Sequence, residues 1–170
     1  LVRWNHPERG LIVPDDFVPL IERTVLLKPF TTYVLNEALR QAHLWDRQGL
    51  PLEVAVNLSA RSLLDPLLPN LVADLLDRWN LPASRLTLEL TETAAATHIE
   101  QTRAQIERMR VDGIAVALDD FGTGFSSLNL LRSLPLQGVK IDRSLIEPLP
   151  EADAAAVVRA ICDLARVLDL

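Results

Sequence analysis

An α/β fold built on parallel strands is what this sequence predicts, and three observations predict it. Short apolar runs alternate with longer stretches of helical apolar spacing, which implies parallel pairing through crossover helices. Each run, read as a strand, has one greasy side and one small or polar side, because successive residues face opposite ways. On the polar side, the groups able to do chemistry lie toward the carboxyl ends of the strands.

Taken in order, Leu1-Val2-Arg3-Trp4 reads as the tail of a strand, without an initiating methionine, as expected of a piece cut from something longer. Asn5-His6-Pro7-Glu8-Arg9-Gly10 is turn-rich, and Pro14-Asp15-Asp16 opens a short helix. An amphipathic helix is expected over residues 30–47, ended by Gly49. Residues 52–59 read as a strand, and 67–79 as a helix with Leu71, Leu75 and Leu76 on one face. A second strand is expected over 85–92 and a helix over 100–111, closed by Gly113. The third strand follows, then a short helix over 126–134, a fourth strand over 138–142 and a last helix over 152–168. No linker, low-complexity tract or repeat interrupts the pattern, so residues 1–170 read as one domain.

Side-chain parity sorts the strand residues. Val54, Val56 and Leu58 oppose Ala55, Asn57 and Ser59; Leu86, Leu88 and Leu90 oppose Thr87, Glu89 and Thr91. Val116 and Leu118 oppose Ala115, Ala117 and Asp119; Val139 and Ile141 oppose Gly138, Lys140 and Asp142. A doubly wound sheet needs both sides apolar, so a closed barrel with its site at the carboxyl-terminal rim accommodates the pattern better. A sheet with one solvated side is the alternative.

The third strand carries the chemistry. Ile114-Ala115-Val116-Ala117-Leu118 ends in Asp119-Asp120, followed by Phe121-Gly122-Thr123-Gly124. Adjacent carboxylates repel, and in a partly buried cleft they need a cation. With oxygen ligands, Mg²⁺ or Mn²⁺ suits them. A helix cap or a solvated turn is the plainer explanation of the pair. The run also resembles the acidic strand end of a phosphate-loop NTPase, but with no Gly-x-x-x-x-Gly-Lys-Ser/Thr that reading loses its main support.

The totals set bounds. At 170 residues, 49% hydrophobic and 24% charged, the chain is an ordinary globular domain. A net charge of −6 argues against a general nucleic-acid surface and a polybasic membrane patch. The single cysteine, Cys162, is expected to be a buried small hydrophobe. His6, His43 and His98 lack ligand spacing, and Trp4, Trp45 and Trp79 read as packing residues.

Four motifs occur in a telling order: Asn57-Leu58-Ser59, Glu89-Leu90-Thr91-Glu92, Asp119-Asp120-Phe121-Gly122-Thr123-Gly124-Phe125-Ser126-Ser127-Leu128 and Lys140-Ile141-Asp142-Arg143-Ser144. Together they resemble the EAL domain, the bacterial phosphodiesterase that linearises cyclic di-GMP to pGpG. Leu1-Val2-Arg3-Trp4-Asn5-His6-Pro7 resembles the segment starting at the leucine of the name-giving motif, so the likeness runs from Leu1 to Leu170. It implies a modified (β/α)8 TIM-like barrel, incomplete here, with about four full strands plus the end of another. It implies that Asn57, Glu89, Asp119 and Asp120 are metal ligands of a two-metal Mg²⁺ or Mn²⁺ site, with Asp119 bridging. Lys140 resembles the lysine that contacts the attacking water or the phosphate, and Arg3 a phosphate-binding arginine. Glu92 resembles the acid that anchors the loop from Phe121 to Ser127. Asp142 receives no role. Singly, each residue has a plainer explanation: Asn57 a turn, Glu89 a partner of Arg85 or another cation, Lys140 a surface lysine.

By the same resemblance, one metal-binding glutamate lies before Leu1, and the general-base glutamate lies after Leu170. The 170-residue piece alone is therefore expected to be inactive and poorly stable. Phe125 and Thr24-Val25 depart from the family's commoner residues without consequence. The implied setting is the bacterial cytosol, with the domain as a homodimer, beside sensory or GGDEF-type domains in a parent chain that is soluble or membrane-anchored. No nucleic-acid polymer is implied as a partner. A catalytically inactive cyclic di-GMP receptor is the alternative function, and an interaction scaffold a third that gives these polar residues no reason to be there.

Overall fold

The parallel sheet that the alternation predicts is present, and every expected strand of it falls within two residues of its predicted ends. A computed structural model describes residues 2–96, 98–122 and 128–170. A hairpin of β1 (Trp4–His6) and β2 (Gly10–Ile12) precedes helices α1 (Pro14–Glu22) and α2 (Leu27–Arg47). Then follow β3 (Val54–Leu58), α3 (Ala60–Leu63), α4 (Leu68–Trp79) and β4 (Leu86–Thr91). The order continues with α5 (Glu92–Ala96), α6 (Ile99–Val111), β5 (Ala115–Phe121) and α7 (Leu128–Ser133). It ends with β6 (Gly138–Ile141), α8 (Arg143–Ile146) and α9 (Ala152–Val167). Strands β3, β4, β5 and β6 pair side by side in sequence order, all parallel. Such an arc of strands with intervening helices is the repeating unit of a (β/α) barrel.

The greasy side of the arc makes the core. Leu86, Leu88 and Leu90 of β4 and Val116 and Leu118 of β5 are fully buried. They share one cluster with Leu35 and Leu39 of α2, Val72 of α4, and Ile106 and Met109 of α6. Each such side chain contributes roughly 1.5–3 kcal/mol by leaving water. Helix α4 turns Leu68, Val72, Leu75 and Leu76 inward and leaves Leu71 half-buried, so its apolar stripe is set by the earlier turn as well.

Local chemistry sets the boundaries. Ser59, just past β3, accepts a hydrogen bond from the Ser62 N–H (3.1 Å) and so caps α3. Helix α6 ends where the Gly113 N–H donates to the Arg110 carbonyl and the Ile114 N–H to that of Met109. That closure needs Gly113 at a φ of +78°, which glycine adopts without strain, and it launches β5 directly. At the corner between α3 and α4, Asp65 accepts from the Leu67 N–H (2.9 Å) and pairs with Lys28 of α2 (3.0 Å).

Four expectations need correction. The first strand tail does not join the sheet: Trp4–His6 pairs antiparallel with Gly10–Ile12, across a turn in which His6 Nδ1 accepts from the N–H groups of Glu8 and Arg9. Three-residue strands are too short to show alternation. Helix α2 starts at Leu27, three residues early, because Pro29 sits in the first turn, where a missing N–H costs nothing. Glu92 leaves the strand and heads α5. Cys162 is exposed: α9 turns Ile161 and Leu164 toward the core, and the cysteine stands on another flank. Among the described residues, no helix is long and apolar enough to cross a membrane.

Two outcomes follow from this packing. Replacing Leu88 by alanine is expected to lower stability by about 2–5 kcal/mol in denaturant unfolding. Hydrogen bonding from Leu67, opposed by partial burial and aided by Lys28, holds the Asp65 carboxyl below the ordinary carboxylate range. A depressed folded pKa stabilises above the unfolded value and ceases to do so as pH falls through the folded one. The stability difference between wild type and Asp65→Asn, read by urea titration, should hold steady from about pH 7 to about pH 5 and shrink below pH ~4.

Candidate active site at the strand ends

Register brings the polar residues of four strands to one rim. Asn57 of β3 lies opposite Glu89 of β4, Glu89 opposite Ala117 of β5, and Ala117 opposite Gly138 of β6. Asp119 is two residues beyond Ala117, and Lys140 two beyond Gly138, so each keeps the same face. Here three side chains meet. Lys140 Nζ donates to Glu89 Oε2 at 2.9 Å and pairs with Asp119 Oδ1 at 3.0 Å. The two acids keep 8% and 16% of their side-chain surface, against 48% for the lysine. Burial opposes the ammonium charge, but the hydrogen bonds and charges of Glu89 and Asp119 outweigh it and hold Lys140 above the usual lysine value. Glu89 therefore does have a cation partner. It is not Arg85, which bonds Asp46 and the Pro51 carbonyl instead.

Two adjacent acids in a regular strand would face opposite ways. The pairing of β5 with β6 advances from Leu118↔Val139 to Phe121↔Ile141, three residues on one strand against two on the other. The extra residue is a bulge, and it contains Asp120 at a φ of +56°. Asp120 is exposed at the rim, yet its carboxyl is pushed up by partial burial and then by the charges of Asp119 and Asp142, against the pull of Lys140. The bulge thus keeps both acids in one electrostatic neighbourhood.

Beyond the bulge, Gly122 has a φ of +104°, and a Cβ there would overlap Leu145 Cδ1 of α8. Asp142 bonds back to this turn, its N–H donating to the Phe121 carbonyl at 3.1 Å. Its Oδ1 accepts from the Ser144 N–H (2.8 Å) and hydroxyl (2.5 Å), which makes it the cap of α8 and holds its carboxyl below the usual range. This is the structural role that sequence reading left open; Asp142-Arg143-Ser144 at a strand end was its signal.

Arg3 precedes β1, and Glu92 opens α5. Arg3 is exposed beside the hairpin, its Nη1 donating to the Val2 carbonyl at 2.9 Å. Trp4 is 45% exposed and packs edge-on against His6 and Phe17. Glu92 is buried at the start of α5, but Thr123 to Ser127 of the loop assigned to it lie outside the described residues. A cavity of about 520 Å³ opens elsewhere, between the α1–α2 connection and α3–α4, and borders none of these residues.

The donors suit a hard divalent cation. Two carboxylates and, one strand over, an amide supply oxygen only, and the acids already close on a positive charge, the ammonium of Lys140. Among the described residues, no three carboxylate, imidazole or thiolate side chains surround one point.

One outcome is specific to the bulge. Gly122→Ala is expected to lower stability by roughly 1–3 kcal/mol, because the Leu145 side chain can move aside but the backbone cannot leave positive φ. Denaturant unfolding of the variant beside wild type reads it.

Comparison with known proteins places the chain. Residues 1–170 match the EAL domain. MucR of Pseudomonas aeruginosa, a bifunctional diguanylate cyclase/cyclic di-GMP phosphodiesterase, is 42% identical over 172 residues, covering 100% of this chain and 25% of MucR. PdeR of Escherichia coli, a cyclic di-GMP phosphodiesterase, is 36% identical over 171 residues, covering 100% and 26%. The chain thus spans about a quarter of the length of these curated relatives. The solved structure of the PaMucR phosphodiesterase in complex with c-di-GMP matches with a TM-score of 0.90 at 42% identity, over 100% of this chain and 70% of that one. The chain belongs to the EAL domain family.

Proposed function

We propose that this chain is the phosphodiesterase part of a protein that hydrolyses cyclic di-GMP to linear pGpG with the aid of two divalent cations, Mg²⁺ or Mn²⁺. The observation that carries the reading is the meeting of Glu89, Asp119 and Lys140 at the carboxyl ends of three neighbouring strands. Two acids able to take a cation, and an amine able to face a phosphate, are what hydrolysis of an anionic diester requires. The likeness to phosphodiesterases such as PdeR supports the same substrate.

In this reading Asn57, Glu89, Asp119 and Asp120 would hold the cations. Bound there, the ions supply Lewis acidity to the phosphoryl centre. Lys140 would bring a positive charge to where the attacking water and phosphate meet, and Arg3 would neutralise a phosphate oxygen from the hairpin side. Glu92 keeps in this reading the anchoring role that the family resemblance implies. The setting in this reading is the bacterial cytosol, with the chain as a homodimer beside GGDEF-type or sensory domains; the bifunctional name of MucR supports an attached cyclase.

The test is turnover of cyclic di-GMP by the full-length protein with Mg²⁺ or Mn²⁺, product followed by chromatography. Asp119→Asn and Glu89→Gln should each lower the rate on the order of 100-fold or more while the protein stays folded. Tight binding of the dinucleotide by wild type without any turnover would contradict the enzyme reading and favour a receptor.

A further inference from the structure

The lysine that resembles a catalytic group sits on the very oxygens proposed for the metal. Lys140 Nζ lies 2.9 Å from Glu89 Oε2 and 3.0 Å from Asp119 Oδ1, both contact ion pairs. A hard divalent ion binds such oxygens at about 2.0–2.2 Å. An ammonium and a divalent ion cannot both hold the same face of the same two oxygens. Their mutual repulsion, two charges against one across a few ångströms of poorly solvated rim, is large compared with thermal energy.

The three partners are not equally free to move. Glu89 and Asp119 stand on central strands with 8% and 16% of their side-chain surface exposed. Lys140 keeps 48% of its side-chain surface exposed and reaches the acids on a flexible four-carbon stem. The lysine is therefore the partner that yields. What it leaves behind is a pair of acids already brought close, with the desolvation of both already met by the fold.

We propose that Lys140 is an exchangeable counter-cation: its ammonium holds Glu89 and Asp119 together and gives up one or both to an incoming divalent ion. This rests on the metal reading of the site and adds a regulation to it. Loading the ion and freeing the lysine for an anionic substrate become one event, so the amine is delivered only to a loaded site. Lys140 is a competitor for the cation site before it is anything else.

The experiment is calorimetric titration of the full-length protein with Mn²⁺, without nucleotide, for wild type, Lys140→Gln, Lys140→Arg and Asp119→Asn. Asp119→Asn marks any Mn²⁺ taken up elsewhere in the chain. Lys140→Gln should bind Mn²⁺ on the order of ten-fold more tightly than wild type. Lys140→Arg, which keeps the charge, should stay near wild type. Before Mn²⁺ is added, Lys140→Gln should melt below wild type, and Mn²⁺ should raise its Tm by the larger amount. Affinity that is unchanged or weaker in folded Lys140→Gln overturns this inference and leaves the site reading intact. Wild type that binds no more Mn²⁺ than Asp119→Asn overturns both. Should Lys140→Gln not fold, ¹⁵N NMR of lysine-labelled wild type decides. The Lys140 Nζ signal should shift or exchange faster on saturation with Mg²⁺, and a signal that stays put overturns the inference.

Discussion

Two carboxylates on adjacent strands, partly withdrawn from water, are the constraint around which this domain is built. Left alone, Glu89 and Asp119 would repel across a rim too dry to screen them. The fold answers with a third strand whose Lys140 reaches both. Parallel register is what makes this possible. It lines up the strand ends, so a residue two places beyond a paired position on one strand faces its counterpart on the next.

The rest of the chain serves that rim. Fully buried leucines on the far side of β4 fix the strand from below, so Glu89 has little freedom. A bulge at Asp119–Asp120 bends the alternation so that two neighbouring acids share one neighbourhood. Gly122 lies against Leu145 of α8, and the Asp142 N–H ties the end of β6 to the Phe121 carbonyl. In the proposed reading, this stiffness lets the acids hold a divalent ion while the lysine, on its flexible stem, remains free to exchange.

Much of this was legible in the residues. Parity along four short runs put Asn57, Glu89, Asp119 and Lys140 on one side, and the strand register agrees. What escaped had physical reasons. The β1–β2 hairpin is held by a turn around His6, not by alternation, so period-two reading passes over it. Cys162 sits in a run of helical apolar spacing, but spacing does not say which flank of α9 meets the core. Asp142 shares parity with Lys140 and received no role from the sequence; the strand ends at Ile141 and the side chain turns to cap a helix. No pattern in one dimension announces that a lysine will bridge two acids from different strands.

The central claim is that these strand-end groups form a divalent-cation site. The most direct measurement is a crystal structure of the full-length protein soaked in Mn²⁺, with anomalous differences recorded at the manganese edge. The account predicts anomalous peaks within coordination distance of Glu89 and Asp119, with Lys140 drawn off at least one of them. A map with no peak there, and both acids still closed on the lysine, would contradict it.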